Sequence, residues 1–110
     1  MTRYAGRMPW QQRHVTSIGE RHIAWLEAAP SAESDAPPVV LVHGLGTSDR
    51  WWVPTIPVLA EHYRVLAVNL VGFGRSAGQP VQLDVAADEL AAWARPIGLT
   101  RAAWVGHSMG

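Results

Sequence analysis

The pentapeptide Gly106-His107-Ser108-Met109-Gly110 has the spacing G-x-S-x-G and follows directly on the apolar run Ala102-Ala103-Trp104-Val105. A serine at a tight strand-to-helix turn holds its Oγ clear of the sheet in a strained backbone conformation. The chain crosses itself so closely there that the flanking positions must lack side chains. Gly106 and Gly110 meet that need. The chemistry open to such a serine is attack on a carbonyl carbon. Its hydroxyl is a poor nucleophile at its own pKa, so it requires a base, and the base requires a carboxylate to orient it.

A second cluster, His43-Gly44-Leu45-Gly46, follows the apolar run Val39-Val40-Leu41-Val42. Glycines let such a loop fold back so that a backbone N–H can face a developing oxyanion, which takes two donors in a water-poor site. The N–H groups of Leu45 and Met109 are the candidates. His43, at a strand end, is expected to brace its loop through hydrogen bonds. Trp51 and Trp52, just beyond the loop, are candidate walls of an acyl pocket, with at least one of them expected to pack into the core. A third cluster, Asn69-Leu70-Val71-Gly72-Phe73-Gly74-Arg75-Ser76, follows the run Val65-Leu66-Ala67-Val68. Gly72 to Ala77 also fits G-x-G-x-x-A, which keeps a dinucleotide-binding oxidoreductase open as a remote alternative. That motif must open a helix whose N-terminus carries the pyrophosphate, with an acidic residue ending a strand ~20 residues on. Here Gly78-Gln79-Pro80 breaks the chain at once, and no such acidic residue follows.

These clusters need a scaffold, and the rest of the sequence describes one. The three apolar runs lack alternation, as strands buried on both faces of a parallel sheet do. His14 to Glu27 reads as two strands meeting at Gly19-Glu20, a hairpin. Pro30 to Pro38 is a polar, proline-bounded loop. Trp52, Ile56, Leu59 and Tyr63 fall at helical spacing and predict a short helix ending near His62, with Pro54 and Pro57 confined to its start. Leu83, Ala86, Ala87, Leu90, Trp93, Ala94 and Ile97 form a longer stripe, with Asp84, Asp88, Glu89 and Arg95 off it, ended by Pro96 and Gly98. The order is hairpin then β-α-β-α-β, an α/β fold with a mostly parallel sheet and right-handed crossovers. Residues 1–13 read as an N-terminal arm, and 14–110 as part of one domain.

Composition narrows the functions. A chain of 110 residues with 48% hydrophobic and 16% charged residues can bury one core. Nine basic residues balance nine acidic ones, which argues against nucleic acid as a partner. The basic residues are all arginine, which excludes a lysine Schiff base or a P-loop lysine from this chain. Zero cysteines exclude disulfides, thiolate metal sites and a cysteine nucleophile. The scattered His14, His22, His43, His62 and His107 lack ligand spacing, so no metal or other cofactor is expected. No apolar run approaches the ~20 residues of a membrane span, and Met8-Pro9-Trp10-Gln11 interrupts any signal-peptide core. A cytoplasmic location and a small-molecule substrate are the expectation; the oligomeric state is left open.

Taken together, the strand, HG loop, helix, strand, G-x-G-x-S, helix, strand and G-x-S-x-G resemble the N-terminal portion of the α/β-hydrolase superfamily, over about His14 to Gly110. The resemblance implies Ser108 as nucleophile, the amides of Leu45 and Met109 as oxyanion hole, and supporting places for His43, Gly44, Gly106, His107 and Gly110. It implies a truncated fold, because the family's base and acid follow the nucleophile. The 110-residue chain alone is therefore expected to be inactive. The implied activity is acyl-enzyme hydrolysis of a small carboxylic ester or related carbonyl compound. A carbon–carbon hydrolase, lactonase, acyltransferase or haloperoxidase would use the same residues, and a ligand-binding receptor or inactive homologue on the same scaffold is the non-enzymatic alternative. Serine at 108 argues against the dehalogenases and epoxide hydrolases of the family, which attack with a carboxylate. Asn69 departs from the family's usual aspartate there.

Overall fold

The computed structural model describes residues 11–30 and 36–108. A hairpin of β1 (Gln11–Ile18) and β2 (Arg21–Ala28) is followed by β3 (Val39–Val42), a 3-10 turn at Asp49–Trp52 and α1 (Ile56–Leu59). Next come β4 (Val65–Val68), α2 (Ala86–Ala94) and β5 (Ala103–Gly106). The strands form one five-stranded sheet in the order β1-β2-β4-β3-β5. β1 and β2 pair antiparallel, as do β2 and β4, whereas β3 runs parallel to both β4 and β5. The α/β fold read from the sequence is the one observed.

The unbroken apolar runs have a direct explanation in the layers. Successive side chains of a strand point to opposite faces. On one face Val39, Leu41, Val65 and Ala67 pack with Leu26, Ala28, Trp52 and Ile56. On the other, Val40, Val42, Leu66 and Val68 pack with Ile23, Trp25, Trp93 and Ala94. Because α1 covers one face and α2 the other, both sides of β3 and β4 are dry. Trp93 is fully buried and meets Trp25 and Trp104 edge-on, at ring distances of 5.5 Å and 6.5 Å.

Several boundaries differ from the sequence reading. β1 starts at Gln11, inside the stretch assigned to the arm, since Gln11–Arg13 continue the antiparallel register to Ala28, Glu27 and Leu26. β5 is shifted one residue, to Ala103–Gly106, because Gly106 pairs with Val42 at the end of β3. The first helix stops at Leu59, before His62, and its predicted start is a separate 3-10 turn. Leu83 lies in a 3-10 turn and is 50% exposed, so the second helix and its buried stripe begin later than the spacing suggested. Glu89, placed off that stripe, ion-pairs with Arg21 of β2 and ties the helix to the hairpin.

Candidate active site

Parallel strands β3 and β5 lie side by side with Val42 opposite Gly106, and the ladder extends one step further through His107 N–H donating to Val42 O at 3.1 Å. The HG loop and the G-x-S turn therefore leave the sheet at adjacent carboxyl ends, the position where ligands bind in open α/β sheets. Ser108 has φ +59°, which makes it the one non-glycine at positive φ among the described residues. That conformation costs an L-residue roughly 1–2 kcal/mol, and it presents Ser108 at the exposed tip of the turn. Met109 and Gly110, the candidate second oxyanion donor and the closing glycine of the motif, lie outside the described residues.

Gly44 shows why the loop has a glycine there. A Cβ on Gly44 would stand 3.0 Å from His107 O and 3.1 Å from Ser108 Cβ, so any side chain there would push the loop and the serine turn a few tenths of an ångström apart. The Gly44 carbonyl is turned the other way. It accepts from Thr47 N–H at 3.3 Å, from Thr47 Oγ1 at 2.8 Å and from His43 Nδ1 at 2.8 Å. The Leu45 side chain is 63% exposed, and its N–H has no partner among the described residues.

His43 is fully buried, and its Nε2 accepts the Leu70 N–H at 3.0 Å. With Nε2 an acceptor, Nδ1 carries the proton and donates to Gly44 O, which assigns the neutral tautomer. Burial pushes the His43 pKa below the usual 6.5, against the opposing pull of the Gly44 carbonyl and the Asp49 charge. The ring bridges the HG loop and the end of β4.

A second bridge, not singled out in the sequence, involves Asp49. Its N–H donates to Asn69 Oδ1 at 3.0 Å, and its carboxylate accepts from Asn69 Nδ2 at 2.8 Å and from Arg75 Nη2 at 3.0 Å. Asn69 Nδ2 also donates to Ala24 O at 3.0 Å. An aspartate at position 69 would have no proton to give and would set its charge against Asp49. Asn69 is thus explained by its partner: the acid opens the 3-10 turn that follows the HG loop, and the amide directly follows β4. Nearby, Ser76 Oγ accepts from Ala24 N–H at 2.8 Å and donates to Asn69 O at 2.7 Å, fastening the glycine-rich turn to β2. That turn is a short 3-10 segment, Gly74–Ser76, and the next α-helix begins only at Ala86. It therefore lacks the helix N-terminus that a dinucleotide site needs.

The two tryptophans separate. Trp52 joins the core under α1, whereas Trp51 is 48% exposed and packs on His107 with ring centroids 4.5 Å apart. Among the described residues, no group of three or more His, Asp or Glu side chains is arranged to hold a metal ion. Nor is any described helix long and apolar enough to cross a membrane.

A family model described as alpha/beta hydrolase fold matches residues 37–110. Among curated relatives, a RutD protein of Pantoea ananatis, named provisionally as a carbamate hydrolase, is 36% identical over 80 residues, covering 70% of this chain and 29% of the relative. A loop variant of the haloalkane dehalogenase DbeA from Bradyrhizobium elkanii superposes with a TM-score of 0.80 at 27% identity, covering 91% of this chain and 33% of that one. A bacterial membrane phospholipase A, described as a virulence factor, gives a TM-score of 0.79 at 31% identity, with 92% and 33% covered. The chain thus spans 29% to 33% of the length of these relatives. Because the family model matches residues 37–110, most of its length, the chain belongs to the α/β-hydrolase fold family.

Proposed function

We propose that the protein is a serine hydrolase in which Ser108 attacks the carbonyl carbon of a small carboxylic ester or related carbonyl compound. The observation that carries this reading is the positive φ of Ser108 at the exposed end of β5, with Gly44 of the HG loop directly against it. No turn serine needs that backbone to hydrogen-bond locally, and the strain is accounted for if the turn exists to present Oγ.

In this reading the Ser108 proton passes to a base as Oγ forms the bond to carbon, and the carbonyl oxygen becomes an oxyanion. The N–H groups of Leu45 and Met109 receive that charge. Collapse breaks the carbon–oxygen bond to the alcohol, which leaves with the proton held by the base. Water, deprotonated by the same base, then attacks the acyl-enzyme and releases the acid, and Ser108 regains its proton. Among the described residues no histidine or carboxylate is hydrogen-bonded to Ser108, so the base and its orienting acid are assigned to the part of the relatives' length that this chain does not span. Trp51, tilted against the His107 ring beside the serine turn, is assigned to a wall of the acyl pocket. The carbamate named for the RutD relative is a carbonyl compound within the same reaction class. The carbon–halogen bond named for the dehalogenase is not, since a serine alkyl ether would have no carbonyl for water to attack.

The test is fluorophosphonate labelling of the full-length protein with peptide mapping, together with hydrolysis of p-nitrophenyl acetate and of a p-nitrophenyl carbamate. Label on Ser108, lost with turnover in Ser108→Ala at unchanged folding, is the expected result. A well-folded full-length protein that carries no label and turns over neither compound points to a non-catalytic member of the family.

A further inference from the structure

A trans peptide is planar, with its C=O and N–H opposed. Whatever grips the Gly44 carbonyl therefore also aims the Leu45 N–H. That carbonyl is held on one side by Thr47, through N–H and Oγ1, and by His43 Nδ1. The His43 ring cannot turn to another acceptor without giving up the Leu70 N–H on its Nε2. Glycine makes this restraint necessary, because a peptide next to glycine has more than one orientation within reach. In the flipped orientation the loop would offer a carbonyl oxygen where an oxyanion needs a donor.

We propose that Thr47 is a positioning residue whose hydroxyl holds the Gly44–Leu45 peptide in the orientation that leaves Leu45 N–H free to serve the oxyanion. This rests on the proposed role of that N–H. Of the two Thr47 contacts, the main-chain one at 3.3 Å is a turn closure open to any residue but proline. The 2.8 Å contact requires a hydroxyl at this position. Serine keeps that hydroxyl, and valine replaces it with a methyl group of nearly the same shape.

The experiment compares Thr47→Val, Thr47→Ser and Leu45→Pro in the full-length protein by steady-state ester hydrolysis and by the rate of fluorophosphonate labelling. In Thr47→Val kcat should fall about three- to tenfold, the factor one ordinary hydrogen bond represents, with KM within about twofold of the parent. Labelling should slow in parallel, and Thr47→Ser should recover both. Equal losses in the valine and serine variants, or a valine variant with lower thermal stability but unchanged kcat, would overturn the proposal. Wild-type kcat in Thr47→Val alongside a loss of ~10²–10³-fold in Leu45→Pro sinks the Thr47 restraint and keeps the donor assignment. Full activity in Leu45→Pro removes the donor assignment itself. Should that variant fail to fold, the valine and serine pair still decides.

Discussion

Gly44→Ala adds one methyl group at the closest approach between the HG loop and the serine turn. The methyl carbon would lie 3.0 Å from His107 O and 3.1 Å from Ser108 Cβ, against ordinary contacts of 3.4–4 Å. One neighbour is main chain and the other is the first atom of a short side chain, so neither can swing aside. The loop and the turn must separate by a few tenths of an ångström. Overpacking of this kind costs about 1–3 kcal/mol of stability. The effect on rate should exceed what that figure suggests, because catalytic groups must be held within about 0.5 Å of their working positions. Losing one oxyanion donor outright costs ~10²–10³-fold, so a partial displacement should lower kcat by about 10- to 100-fold. KM should stay within about threefold, since the donor proposed for Leu45 would act on charge that develops only in the transition state. The assay is p-nitrophenyl acetate hydrolysis by the full-length protein, with urea unfolding of the same preparation. Leu45→Ala, one position on, removes only a largely exposed side chain and should leave both quantities near the parent values. A Gly44→Ala protein with parental kcat would refute the reasoning, since the two segments would then not be in working contact.

Further outcomes follow from other parts of the structure. Asn69→Asp should cost about 1–3 kcal/mol or more at neutral pH, because it faces the Asp49 carboxylate and the Ala24 carbonyl with no proton to donate. Adding Asp49→Asn should recover part of the loss in a double-mutant cycle by chemical denaturation, and strict additivity would show the pair is uncoupled. For His43, burial lowers the folded-state pKa, so below the unfolded value of 6.5 the unfolded chain takes up a proton that the folded protein refuses. Stability from this site is complete above that pH and declines as pH falls through it, levelling once the folded state protonates. His43→Gln should remove this component of the slope in urea midpoints measured between about pH 5 and pH 8. Trp93→Ala should cost about 3–5 kcal/mol by calorimetry or denaturant, as a fully buried tryptophan does; a loss under about 1 kcal/mol would contradict its place in the core.

Much of the scaffold was legible because the signals were local. Val39–Val42 and Val65–Val68 are apolar at every position, and strands covered on both faces require that. Gly19 sits at the hairpin turn with φ +69°, as the sequence suggested. Legibility failed where pairing decides. β5 ends at Gly106 because Val42 stands opposite, and nothing near Ala102 announces it. Gln11–Arg13 are polar, yet they extend β1 because β2 offers backbone partners out to Ala28. In the candidate site, Ser108 and Gly44 stood out by motif. Asp49 did not, because an acid beside Arg50 reads as surface charge until Asn69 and Arg75 are seen to enclose it. The departure at Asn69 was visible in the sequence, but its cause lies twenty positions upstream, on a separate segment.

The rung joining Val42 to Gly106 acts as a ruler between the two halves of the candidate site. Distance along the chain between His43 and Ser108 is irrelevant to their separation, because the intervening helices and turns only return the chain to the next strand. Residues inserted in the loop after α2 should therefore leave the geometry intact. A single deletion within β3 or β5 should not. It would draw one loop back by about 3.3 Å along its strand and turn every following side chain to the opposite face. In a lineage diverging under selection for activity, length variation should accumulate between the strands and be purged from the four residues of each.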